Sequence, residues 1–88
     1  MVRRQLEIKN KLGLHARAAA KFVRCAAGFS ARLTIVRGDT QVDGKSIMGV
    51  LLLAAPIGTV LEVVAEGEDE EAAVAALAEL VEAKFGED

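Results

Sequence analysis

The sequence predicts an α+β fold, a four-stranded antiparallel sheet with three helices on one face, in the order β-α-β-β-α-β-α. Three observations predict it. Short segments alternate apolar and polar residues with period two, so one face of each strand meets a core and the other meets water. Other segments repeat their apolar residues at helical spacing. Glycine-containing turns separate the segments, with no internal repeat, linker or low-complexity stretch. The 88 residues make one domain, 1–88, and the 52% that are apolar supply the efficient core that so short a chain needs.

Each element has its own signal. From Val2 to Lys9, Val2, Leu6 and Ile8 share one face, with Arg3, Gln5, Glu7 and Lys9 opposite; Arg4 falls on the apolar side and marks a frayed edge. Asn10 to Leu14 is a loop made flexible by Gly13. A helix follows from about Ala16 to Ala27, with Ala19, Phe22, Val23 and Ala26 as its apolar stripe, Gly28 as its C′ residue and Phe29 folding back. Ala31 to Arg37 is a strand with Leu33 and Ile35 facing in, Gly38-Asp39 a tight hairpin, and Thr40 to Val42 a short third strand. Ser46 caps a short helix from Ile47 to Leu53, which Pro56 and Gly58 stop. Thr59 to Glu66 is apolar on both faces, as a central strand is. Asp69 caps the last helix; Ala73, Val74, Leu77, Leu80, Val81 and Lys84 trace one of its faces, and Gly86 ends it.

Composition narrows the function. Three Phe and no Trp or Tyr argue against a nucleic-acid module built on stacking platforms. The lone Cys25 excludes an internal disulfide, fits a reducing cytoplasmic setting, and reads as a small buried hydrophobe. No signal peptide is expected, and the longest apolar run, Val50 to Pro56, is far short of the ~20 residues that cross a membrane. Residues 1–37 carry nine basic residues and one acidic, residues 38–88 two basic and twelve acidic. The basic half favours an acidic or phosphorylated partner.

The basic half also holds the only histidine, His15, where the first helix should begin. A helix start exposes unpaired N–H groups and the positive end of the dipole, so it attracts anions. At an N-cap, one ring nitrogen accepts from a backbone N–H two or three residues on, which fixes the tautomer. The helix end and Arg17 disfavour the imidazolium and keep the ring nucleophilic. The same groups then suit a phosphoryl dianion on the ring. A bare cap or surface histidine remains an alternative on residue type alone. One histidine without a His/Cys cluster builds no metal site, and no second catalytic group accompanies it.

Ser46 and the short helix behind it form a second feature. Val50 and Leu53 point into the core, which leaves Ile47, Met48, Leu51 and Leu52 partly exposed. An apolar patch beside a basic cluster suits a small, transient docking surface.

Asn-Lys-Leu-Gly-Leu-His-Ala-Arg around His15 and Gly-Lys-Ser-Ile-Met-Gly-Val at 44–50 closely resemble the two signatures of the histidine-containing phosphocarrier family of the bacterial phosphotransferase system. The resemblance covers essentially the whole chain. It implies an open-faced β-sandwich and a phosphoryl carrier rather than an enzyme, needing no cofactor. It implies that His15 accepts a phosphoryl group at Nδ1 from phosphorylated enzyme I, originally from phosphoenolpyruvate, and passes it to an enzyme II A component. The family's arginine partner matches Arg17. The resemblance places a partner-binding patch on Ile47, Met48, Leu51 and Leu52, with Arg17 and Arg24 at its edge. It also makes Ser46 a site for HPr kinase/phosphorylase, where a phosphate adds about −1.5 to −2 charge and repels acidic partners. One position departs from the pattern: Ala18 stands where the family usually has proline. A monomer is expected, with no nucleic acid and no membrane insertion. A regulatory, nitrogen-type carrier that moves no sugar is the alternative within the class; a binding module that never phosphorylates is one outside it.

Overall fold

The computed structural model describes residues 1–87. Strands β1 (Val2–Glu7), β2 (Arg32–Arg37), β3 (Thr40–Asp43) and β4 (Val60–Glu66) form one antiparallel sheet in the order β1-β4-β2-β3. Helices α1 (Ala16–Ala27), α2 (Ile47–Leu52) and α3 (Glu70–Glu82) follow β1, β3 and β4, and a short 3-10 turn over Lys84–Gly86 comes last.

Register follows from the alternating pattern. Leu6 lies opposite Leu61, Leu33 opposite Ala65 and Ile35 opposite Val63, and all six are buried. A slip of one residue would turn this whole set toward water. Pairing continues past β1, where Ile8 N–H donates to Thr59 O and Gly58 N–H donates to Ile8 O, both at 2.8 Å. The helices cover the inner face with Phe22, Val50, Leu77 and Val81, joined by Phe85 from the final turn, all buried.

β4 is central, as expected, but only one of its faces is closed. Leu61, Val63 and Ala65 are buried, whereas Val60 is exposed and Glu62 and Val64 are half-buried. The helices pack on one side only, so apolar residues on the far face still meet solvent.

Several local readings change. Gly28 ends α1 in a right-handed conformation (φ −75°), its N–H reaching Ala26 O and Cys25 O. α2 stops at Leu52, before Pro56, because Ala54 turns left-handed (φ 47°). The Arg37 guanidinium holds that end, donating to Leu53 O at 2.6 Å and Ala54 O at 2.9 Å. Asp69 precedes α3 without a side-chain cap. Its carboxylate instead accepts from Ser30 N–H and Ala31 N–H, each at 2.8 Å, clasping the α1–β2 loop. α3 ends at Glu82 rather than at Gly86, and Lys84 lies beyond it, exposed. Cys25 is half-buried rather than buried, and that partial burial pushes its thiol up.

Candidate functional site

Gly13 sets the approach to His15. Its φ of +67° suits glycine, and a Cβ there would collide with Ala55 O. The loop is therefore pinned, where flexibility was expected. Gly13 N–H donates to Asn10 O, and Leu14 N–H donates to Ala55 O at 2.9 Å. Leu14 is buried, so the chain enters α1 from a fixed point.

His15 occupies the N-cap position of α1 with extended backbone (ψ 179°), and its carbonyl accepts from Ala19 N–H. The ring does not cap the helix: no side-chain cap bond forms. Nε2 instead lies 3.0 Å from both Oε1 and Oε2 of Glu87. The N–H groups of the first turn, which the ring was expected to meet, are left open among the described residues. No acidic residue stands in that turn either. An open helix start is the arrangement that accepts an anion.

A carboxylate can only accept, so Nε2 carries the proton in this contact. In the neutral ring Nδ1 then holds the lone pair. Among the described residues, Nδ1 makes no hydrogen bond.

Asn10 ties the carboxylate to the loop. It is fully buried, and its amide donates to Gly13 O at 2.7 Å and to Glu87 Oε1 at 2.8 Å. The Asn10 amide, and after it the His15 ring, hold the Glu87 carboxyl below the usual carboxylate range. Asn10 Oδ1 is buried and, among the described residues, has no partner, an unsatisfied acceptor that costs about 1–3 kcal/mol.

The remaining candidates are spread around this centre. Arg17 is exposed and borders a shallow depression with Lys11, Leu12 and Glu87. A second depression joins His15 to Leu12, Leu14, Ala54, Ala55 and Pro56. Arg24 is exposed in the last turn of α1. Ser46 caps α2 as expected, its Oγ accepting from Gly49 N–H at 3.1 Å. α2 packs against α1. Val50 and Leu53 are buried, while Ile47, Met48 and Leu52 are 42%, 67% and 73% exposed. Leu51 is half-buried against the core. Ala18 is fully buried, facing the core rather than the site.

The family model described as "PTS HPr component phosphorylation site" matches residues 2–83. This chain belongs to the HPr family of phosphocarrier proteins. It is thus a phosphoryl carrier of the phosphotransferase system, not itself a catalyst. The phosphocarrier protein HPr of Xylella fastidiosa is 50% identical over 88 residues, covering 100% of this chain and 99% of the relative. A phosphocarrier protein NPr of Shewanella violacea is 44% identical over 84 residues, covering 96% of this chain and 92% of the relative. The crystal structure of an HPr from Thermoanaerobacter tengcongensis superposes with a TM-score of 0.96 at 48% identity, covering 100% of this chain and 99% of that one. HPr-type fold and family thus agree with the four-stranded sheet and its three helices.

Sequence reasoning missed Asn10 and Glu87. Asn10 read as a loop residue, and the sequence reading stopped at Gly86, before Glu87. A buried asparagine has no periodic signature, and the two positions stand 77 residues apart.

Proposed function

We propose that His15 is the residue that carries the phosphoryl group. Nδ1 takes it from phosphorylated enzyme I, which draws it from phosphoenolpyruvate, and yields it to an enzyme II A component. The observation that carries this reading is a single histidine at an open helix start with Nε2 engaged and Nδ1 without a hydrogen bond among the described residues. The phosphoryl dianion then meets the first-turn N–H groups and the Arg17 guanidinium. Ala16 is exposed and leaves room for a partner's approach. The whole chain, 1–88, serves as one carrier domain, monomeric and cytoplasmic.

Partners dock on the exposed apolar residues Ile47, Met48 and Leu52, with the edge of Leu51, and on Arg17 and Arg24. Leu12, also exposed, extends the apolar supply beside the ring. Phosphorylation of Ser46 by an HPr kinase/phosphorylase places negative charge within this surface and slows transfer.

The test is incubation with phosphoenolpyruvate and enzyme I, followed by intact mass and acid lability. One acid-labile phosphate is expected, absent in His15→Ala; an adduct that persists in that variant rejects the assignment. The likeness to an NPr favours a second reading, a regulatory carrier not linked to sugar uptake. Transfer to a nitrogen-type acceptor in preference to sugar-specific enzyme II A components would select it.

A further inference from the structure

Resting on the reading of the exposed α2 face as the docking surface, we infer that Met48 is a site of reversible oxidation. A hydroperoxide converts its thioether to a sulfoxide and weakens the docking of partners. The chain carries few side chains that a mild oxidant attacks: Met1, Met48 and Cys25, with no Trp and no Tyr. Cys25 is half-buried, and burial keeps its thiol protonated, which slows its reaction. The two thioethers are almost equally open to solvent, Met1 being 65% and Met48 67% exposed. They differ in their surroundings.

Met1 precedes β1, and its amine pairs with Glu70 Oε2 at 3.0 Å. It borders a depression on the far face of the sheet with Arg3, Glu62 and Val64. Met48 lies in α2 beside Ile47, and Leu52 follows one helical turn later on the same face; all three are exposed. Ile47, Leu51 and Leu52 carry only hydrocarbon, so Met48 is the apolar patch residue whose polarity an oxidant can change. The helix is held without it. Val50 and Leu53 are buried, Ser46 Oγ accepts from Gly49 N–H, and Arg37 donates to Leu53 O and Ala54 O. A sulfoxide at Met48 therefore leaves the fold intact and places a strong acceptor oxygen in the middle of the patch. Water solvates that oxygen in the free protein. Docking against an apolar surface strips the water away, which is unfavourable where no donor replaces it.

The step balances with hydrogen peroxide as oxidant. A sulfur lone pair attacks one peroxide oxygen, and the S–O bond forms as the O–O bond breaks. The leaving hydroxide takes the proton of the transferred oxygen and departs as water. Sulfur gives up two electrons, which reduce the peroxide. In reverse, a methionine sulfoxide reductase removes the oxygen as water while two thiols are oxidised to a disulfide.

The experiment treats the full chain with hydrogen peroxide and then with dithiothreitol, which reverses a sulfenic acid or disulfide at Cys25 and leaves sulfoxides in place. Peptide mass mapping reads the oxygen gained at each methionine. KM and kcat of enzyme I for the carrier are measured in wild type and Met48→Leu, each against its own untreated sample, and melting temperatures are recorded. Met48 should oxidise about as fast as Met1. The wild-type KM should then rise about tenfold with kcat little changed, as lost docking implies. The melting temperature should hold, and sulfoxide reductase should restore KM. Met48→Leu, left with Met1 as its thioether, should keep the KM of its untreated sample. Several results overturn the proposal: a Met48 that stays reduced while Met1 oxidises, an unchanged wild-type KM, a fall in kcat alone, or an equal rise in KM for Met48→Leu. A lowered melting temperature in the oxidised protein does so too, since a loosened α2 would then account for the loss. Untreated Leu52→Gln separates the two readings by setting a fixed polar group on the same face. An unaffected KM in that variant rejects the docking surface and the inference with it. A raised KM there, beside an unchanged KM in oxidised wild type, rejects Met48 alone.

Discussion

At the residue scale, the site depends on side chains and backbone angles that have little freedom to change. Gly13 is the clearest case. Its left-handed φ, and the closeness of Ala55 O to where a Cβ would sit, leave no room for alanine. Gly13→Ala should cost about 1–3 kcal/mol from the backbone conformation alone, with the clash adding to it. Urea denaturation measures this, and an unchanged midpoint would show that the loop relaxes freely. Asn10 is the complementary case. Its amide is saturated and, among the described residues, its Oδ1 is not, so the residue is kept for what it donates. The physical reading of His15 from sequence was half correct. The anion-attracting helix start is present, but the ring turns to Glu87 instead of capping it. The bond from Nε2–H to the Glu87 carboxylate is charge-assisted, and it sets the orientation of the ring.

At the element scale, α2 is the part whose two ends do different jobs. Ser46 caps the start, and Arg37 closes the end through Leu53 O and Ala54 O. Ala55 O then accepts from Leu14 N–H, next to His15. The segment that follows the patch-bearing helix is therefore fastened to the His15 loop through a backbone bond. Ser46→Asp offers a direct test of the regulatory reading. Aspartate is as good an N-cap as serine, so the helix should survive. Its charge should slow transfer from enzyme I while the melting temperature stays within a few degrees of wild type. Equal transfer rates in the two proteins would remove Ser46 from the regulatory scheme.

At the scale of the whole molecule, carboxylates clasp segments distant in sequence. Asp69 binds Ser30 N–H and Ala31 N–H, joining the entry to α3 to the start of β2. The Ser30 N–H foremost, with Ala31 N–H assisting, holds the Asp69 carboxyl below the usual carboxylate range. Glu70 and Glu87 are lowered as well, by the Gly67 N–H and by the Asn10 amide respectively before any other cause. The sign is the same for all three. A carboxyl lowered on folding contributes stability above its unfolded value, about 3.9 for Asp and 4.3 for Glu, and that stability is lost as pH falls through the folded value. Thermal melts should therefore decline below about pH 4–5. Asp69→Asn should melt lower at neutral pH and show a flatter decline, because an amide oxygen cannot replace both carboxylate oxygens. A parallel decline in wild type and variant would place the acid sensitivity elsewhere.

Much of this molecule could be read along the chain: the order of elements, the inward faces of the first two strands, the extent of α1, the cap at Ser46 and the open side of α2. These are local properties, carried by period, by capping chemistry and by the steric limits of single residues. The two signatures around His15 and Ser46 also identified the family. Which groups meet at the ring became visible only in three dimensions. Asn10 and Glu87 are brought together by the sheet, by α3 and by the left-handed turn over Lys84–Gly86, anchored at Phe85. Such a contact depends on the path of the whole chain between its partners, and no repeat or spacing along the sequence encodes it.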